Sequence, residues 1–280
     1  MHKMGSFFSS DRVLLASMHG KEQAIGPVFS RRLGWQIAVV PDLDTDCFGT
    51  FSGEVVREGT ALETARKKAM AVLNATGATM ALASEGSFGP HPELPFVAAD
   101  HELLLLLDTA NNFEIQASVL SVATNYAQGA VAQWPDLEQF ARSAGFPGHR
   151  LILKNGADMV KGIGTWADLS KHFSDLSILG GVVWAETDMR AMYNPMRMKV
   201  IGQAAEGLAD KLMCYCPACN TPGFEIAEAI PGLPCSLCNI PTALARTHRW
   251  ICRRCGFSTE KHRPDGLLMA DPAHCDWCNP

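Results

Sequence analysis

Thr60-Ala-Leu-Glu63-Thr-Ala65-Arg-Lys-Lys68-Ala69-Met-Ala-Val72-Leu73-Asn-Ala75-Thr-Gly77, followed by Met80-Ala-Leu-Ala83 and Ser84-Glu85-Gly86-Ser-Phe-Gly-Pro90, is the stretch from which the fold is read. Leu62, Ala65, Ala69, Val72 and Leu73 recur at helical spacing. Thr60-x-x-Glu63 ahead of them is a capping box, and Gly77 supplies the stop. Met80 to Ala83 reads as a short buried strand, and Ser84 to Pro90 as a loop too rich in Gly and Pro to continue it.

On its N-terminal side, Val13 to Ser17 reads as a strand, Glu22 to Leu33 as a helix closed by Gly34, and Trp35 to Val40 as a second buried strand. A polar loop follows from Pro41 to Gly59. In it Asp42, Asp44 and Asp46 alternate like calcium ligands, but Cys47 stands where that loop needs Gly and no Glu closes it, so no calcium site is expected. Toward the C-terminus, Glu102 to Asp108 and Glu114 to Val122 form an expected hairpin around Asn111-Asn112. Helices are expected at Trp134 to Ser143 and Trp166 to Phe173, a strand at Gly180 to Ala185, and a long helix from Pro195 through Lys211. Such alternation predicts an α/β domain, a mixed sheet with flanking helices, over residues 1–212.

Residues 213–280 read differently. Cys216-Pro-Ala-Cys219 and Cys235-Ser-Leu-Cys238 are fifteen residues apart, and Cys252-Arg-Arg-Cys255 and Cys275-Asp-Trp-Cys278 nineteen. Both intervals suit a zinc ribbon, in which two Cys-x-x-Cys turns grip one ion tetrahedrally. Asn220, Asn239, Gly256 and Asn279 follow the second cysteines, residue types that tolerate a left-handed turn. Two Zn²⁺ ions are therefore expected in a tandem ribbon module. They would be structural, because four thiolates leave no position open to water. Sequential pairing, first turn with second and third with fourth, is the expected arrangement; a cross-brace is the alternative. Cys47 and Cys214 stand outside the pattern.

Composition bounds the rest. With 47% apolar and 19% charged residues the chain is expected to be soluble and globular. No apolar run approaches the ~18–20 residues a membrane helix needs, and Met1 to Ser10 shows no secretory core, so no membrane partner and a cytosolic location are expected. The net charge of −5 argues against general attraction to nucleic acid. Arg246, Arg249, Trp250, Arg253, Arg254, Lys261 and Arg263 nevertheless interleave basic and aromatic residues in the cysteine module, leaving nucleic-acid or protein contact open.

Gly59-Thr60, Glu63, Lys68-Ala69, Ala75-Thr-Gly77 and Ala81-Leu-Ala-Ser-Glu85-Gly86 resemble, in order and spacing, the central signature of the inosine triphosphate pyrophosphatase-like superfamily. The Lys21 turn and Arg197-Met-Lys199 extend the likeness. Thr64, Ser84 and His19 depart from it, standing where that family has Asn, an acidic residue and Asn. The resemblance implies hydrolysis of a nucleoside triphosphate to the monophosphate and pyrophosphate. Glu85 and Glu63 would be catalytic, holding Mg²⁺ or orienting water, and Lys21, Lys68, Arg197 and Lys199 would hold the phosphates. Met18-His-Gly-Lys-Glu22, Ser84 to Pro92, Glu186 to Pro195 and the cysteine pairs also resemble, over nearly the full length, an uncharacterised bacterial family of unknown function. The competing expectation is a non-catalytic adaptor whose ribbons bind nucleic acid or protein.

Overall fold

The computed structural model describes residues 7–41 and 59–280. Asp42, Asp44, Asp46 and Cys47 lie outside them. The chain divides into two compact units, Ser10–Ala209 and Asp210–Pro280, the second with residues 7–9.

The larger unit begins with β1 (Arg12–Ala16), α1 (Glu22–Leu33) and β2 (Gln36–Val39). Gly34, at φ 71°, ends α1 in the left-handed conformation that costs Gly nothing. β2 is half-buried rather than buried, because it forms the sheet edge. Helix α2 (Ala61–Thr76) opens with the full capping box, Thr60 and Glu63 satisfying each other's backbone N–H groups. It leads into β3 (Met80–Pro90), β4 (Ala98–Asp108) and β5 (Phe113–Ser121). The sheet order is β2-β1-β3-β4-β5, with β1 parallel to β2 and β3 and the last three strands antiparallel. The expected loop at Ser84 to Pro90 is corrected: it is strand, pairing with β4 residue by residue until Pro90 meets Ala98. Long-range pairing overrides the local Gly and Pro signals there.

A second sheet, ordered β6-β9-β7-β8 and entirely antiparallel, carries β6 (Gln128–Val131), β7 (Leu151–Asn155), β8 (Asp158–Ile163) and β9 (Val183–Thr187). Helices α3 (Trp134–Ser143) and α4 (Trp166–Ile178) bury Leu137, Ala141, Leu169 and Phe173 in its core. Helix α5 (Pro195–Met213) buries Val200, Ile201, Ala204, Ala205 and Leu208, and Arg32 of α1 reaches its Glu206 at 2.8 Å. Among the described residues no helix is long and apolar enough to cross a membrane.

The smaller unit holds one antiparallel sheet of β10 (Glu225–Pro231), β11 (Ala245–Ile251) and β12 (Ser258–His262).

Candidate metal centres and a buried ionic cluster

In the smaller unit the antiparallel hairpin decides which cysteines meet. The first Cys-x-x-Cys turn precedes β10 and the third follows β11, and Glu225 pairs with Ile251, so both turns lie at one end of the hairpin. The second turn follows β10, about 20 Å away at the strand's rise per residue. β12 runs back along β11, and Cys235 then bridges to Ala270, which brings the fourth turn to the second. The result is a cross-brace: Cys216, Cys219, Cys252 and Cys255 form one group, and Cys235, Cys238, Cys275 and Cys278 the other. Sequential ribbons are thereby corrected.

The donor set fits a metal. Sulfur atoms approach at 3.7 Å for Cys216–Cys255, 3.6 Å for Cys219–Cys252, 3.8 Å for Cys235–Cys278 and 3.6 Å for Cys238–Cys275. A tetrahedral Zn²⁺ with bonds of about 2.3 Å separates its sulfurs by about 3.8 Å. Amide N–H groups of Ala218 and Leu237 donate to Cys216 and Cys235 at 3.4 Å, as they would to thiolates. The Thr221 hydroxyl and backbone hold Cys219 down to about 6, and the Cys238 and Leu237 amides hold Cys235 down to about 7. Against the Phe257 amide, by contrast, the Cys219 sulfur pushes Cys255 up to about 12, and the Cys238 sulfur does the same to Cys278, as expected of thiols crowded together without a cation among them. Asn220, Asn239 and Gly256 adopt positive φ as expected; Asn279 does not. Each group can hold an ion such as zinc.

The basic residues of this unit are largely engaged. Arg249 meets Glu228 at 2.8 Å and Glu260 at 3.2 Å, Arg253 meets Glu225 at 2.8 Å, and Arg263 meets Asp265 at 2.6 Å. Lys261 lies over the Trp250 ring. Exposed apolar side chains sit instead on the second metal group, Leu237 at 73% and Trp277 at 75% exposure.

In the larger unit β3 outruns β1. Ala16 pairs with Ala83, and beyond it the chain turns away through Ser17 and Gly20. Lys21 lies past the carboxyl end of β1, where open α/β sheets leave a crevice. Its Nζ donates to the backbone oxygen of Ser84 at 3.1 Å and to the Ser84 hydroxyl at 3.3 Å. Alternation then sorts the β3 and β4 side chains onto two faces. Glu85 faces α2 and forms a buried ion pair with Lys68. Gly86 stands opposite Glu102, and Phe88 opposite Asp100. On that face Arg197 of α5, 1% exposed, donates from Nε to Glu102 Oε1 at 2.6 Å and from Nη1 to the Met189 carbonyl, with its guanidinium over the Phe88 ring.

Burial, reinforced by the charge of Arg197, pulls the Lys21 ammonium down to about 8, against the opposing pull of Glu102 and Glu85. Burial and the adjacent Glu102 push Asp100 up to about 7, although Arg197 and Lys21 oppose this. Below about pH 4 folded and unfolded chains both hold the Asp100 proton, while between about 4 and 7 only the folded chain does, so this stabilisation is lost as pH rises through about 7. Asp100→Asn, which cannot ionise, should gain stability over the unmutated protein progressively from about pH 4 to about pH 7 and keep that gain above it, without added divalent cations, by a few kcal/mol in all. Denaturant titrations at several pH values check it; a constant difference would show that Asp100 does not titrate in this window.

Of the residues singled out in the sequence, Lys21, Lys68, Glu85 and Arg197 therefore converge, and Glu63 and Lys199 do not. Glu63 is exposed and its carboxylate bonds the Thr60 N–H at 2.7 Å. It also lies five residues from Lys68, about 140° round the helix. Lys199 is exposed because two residues past Arg197 is about 200° round α5. Asp100 and Glu102 were not anticipated; two acids alternating into the Leu103–Leu107 run are the signal that marks them. Glu186 pairs with Lys154 at 2.8 Å within the second sheet, and buried Asp188 is held by Arg190 at 2.6 Å and by the Gly162 N–H at 3.1 Å. That segment contributes to the cluster through the Met189 carbonyl.

These features define a mixed α/β protein with a buried ionic cluster and a C-terminal unit carrying two interleaved Cys₄ groups. The chain belongs to the family described as Domain of unknown function (DUF6671), whose model matches residues 67–280. Comparison with curated proteins gave no match, and neither did comparison with solved structures.

Proposed function

We propose that the larger unit is a Mg²⁺-dependent hydrolase releasing pyrophosphate from a nucleoside triphosphate, on an inosine triphosphate pyrophosphatase-like fold in the cytosol, with the cysteine unit as a structural zinc module. The observation that carries this reading is the convergence of Lys21, Lys68 and Arg197 with Glu85 beside the carboxyl end of β1. A triphosphate needs several cations positioned together, and a scaffold that only displays a docking unit does not. In this reading Lys21 and Lys68 bind phosphate oxygens, Arg197 fixes the far side of the site, and Glu85 orients the attacking water once Lys68 turns to the substrate. Mg²⁺, when bound, would neutralise the phosphates and polarise the one under attack.

The test is pyrophosphate release from a panel of nucleoside triphosphates, inosine and xanthosine forms included, with Mg²⁺ or Mn²⁺. Glu85→Gln keeps the size of the side chain and its contact with Lys68 but removes the charge, so the rate should fall on the order of 10²-fold or more. No release from any nucleotide would end the hydrolase reading. It would leave the adaptor, for which exposed Leu237 and Trp277 favour a protein partner over a nucleic acid.

A further inference from the structure

Asp100 and Glu102 project from the same face of β4, and both are fully buried. Glu102 commits only Oε1 to Arg197. Its Oε2 and both carboxyl oxygens of Asp100 receive no hydrogen bond from any other residue, and the two carboxyl groups can bond each other only through a proton. Three oxygens without a donor on two adjacent buried carboxyl groups call for a proton or a cation between them, because burying polar groups unpartnered is costly. A single proton shared between the two groups satisfies one oxygen of each and leaves the second oxygen of Asp100 bare. A divalent cation between them engages all three. The cluster is otherwise balanced, with Lys21, Lys68 and Arg197 matching Glu85, Asp100 and Glu102, so an added cation calls for an anion beside it. Mg²⁺ commonly sits this way, on one or two carboxylates and the oxygens of a phosphate.

We propose that Asp100 and Glu102 form a site for a hard divalent cation, Mg²⁺ or Mn²⁺, whose remaining positions are taken by water and by phosphate oxygens. The phosphate partner rests on the hydrolase reading; the cation site does not. Glu102 is held for this role from two sides. Arg197 fixes Oε1, and Gly86, directly across the ladder, admits the carboxylate where a Cβ would come within 2.4 Å of it. Oε2 is then the oxygen left for the ion.

The probe is Mn²⁺ alone, titrated into the zinc-loaded full chain and read by electron paramagnetic resonance of the free ion. One Mn²⁺ per chain is expected. Asp100→Asn should weaken it at least ~10-fold, since even the loss of an outer partner commonly does as much. Zinc content and folding should be unchanged, which separates lost ligation from lost structure. Glu114→Gln, which only parts an exposed ion pair with Arg66, should bind Mn²⁺ as the unmutated protein does. The proposal is overturned if no Mn²⁺ binds, or if Asp100→Asn binds it equally, which would leave the pair bridged by a proton. It is overturned also if Glu114→Gln loses the ion while Asp100→Asn keeps it. Binding that depends on Asp100 without hydrolysis of any nucleotide would remove the hydrolase and leave this site. Hydrolysis with Asp100-independent binding would do the reverse.

Discussion

Replacing Cys216 by Ser should remove one of two bound zinc ions, and replacing Cys216 and Cys252 together should remove no more, because both belong to one Cys₄ group. Replacing Cys216 and Cys235 together should empty both sites. Under sequential ribbons the outcomes would be exchanged, so elemental analysis of the two double variants decides the pairing. The effect should be large. The buried cluster described in this unit is Cys216, Phe224 and Cys252, with Cys214 and Trp250 packed against it, so two of its three members belong to a Cys₄ group that can hold an ion. A sheet of three short strands cannot bury enough apolar surface to hold itself, and structural zinc contributes on the order of 10 kcal/mol or more to such modules. Emptying both sites should therefore abolish amide protection in β10, β11 and β12 while β1, β3 and β4 stay protected. Retention of one zinc by the Cys216 and Cys235 double variant would refute the cross-brace.

What could be read in the sequence was what local chemistry dictates. Thr60-x-x-Glu63 and Gly77 set the ends of α2, and Gly34 closes α1, because caps act within a few residues. Trp134 to Ser143 has no side-chain cap, and its bounds are legible instead from Pro135 in its first turn and Gly145 just past its end. The eight cysteines of the two Cys₄ groups were legible from the Cys-x-x-Cys spacing, but their partners were not. Fifteen- and nineteen-residue intervals suit a ribbon equally well whether or not a hairpin carries the next turn to the opposite end. The extension of β3 was hidden because Gly86, Gly89 and Pro90 look like breakers until Glu102, Ala99 and Ala98 are placed beside them. The half-exposed strands β10, β11 and β12 carry little alternation and gave no strand signal. In the cluster, Lys21, Lys68, Glu85 and Arg197 could be named only through family resemblance, since no two of Lys21, Lys68 and Arg197 share an element. Glu63 caps α2 and lies apart from these four, and a capping glutamate and a site glutamate look alike in a sequence.

Gly86→Ala should be among the most damaging single-methyl additions in the larger unit. A Cβ at Gly86 would lie 2.4 Å from Oε1 and 2.8 Å from Cδ of Glu102, and 2.5 Å from Nη2 of Arg197. Neither partner can step aside cheaply. Arg197 is tied to the Met189 carbonyl and packed over Phe88, whose ring stacks on Tyr126 at 5.8 Å, and Glu102 sits mid-strand between β3 and β5. The methyl must therefore push β3 from β4 or part a fully buried ion pair, and stranding one member of such a pair costs about 3–5 kcal/mol. Gly89→Ala is the control. It lies on the same strand, with nothing within 4 Å of its new Cβ and no left-handed backbone to strain, so its cost should stay near the few tenths of a kcal/mol of an ordinary surface change. Denaturant titration of both variants, with zinc content measured alongside, gives the comparison. Equal stabilities for Gly86→Ala and Gly89→Ala would mean that Arg197 and Glu102 are not locked against β3 as described, and the fixed carboxylate on which the cation site depends would go with them.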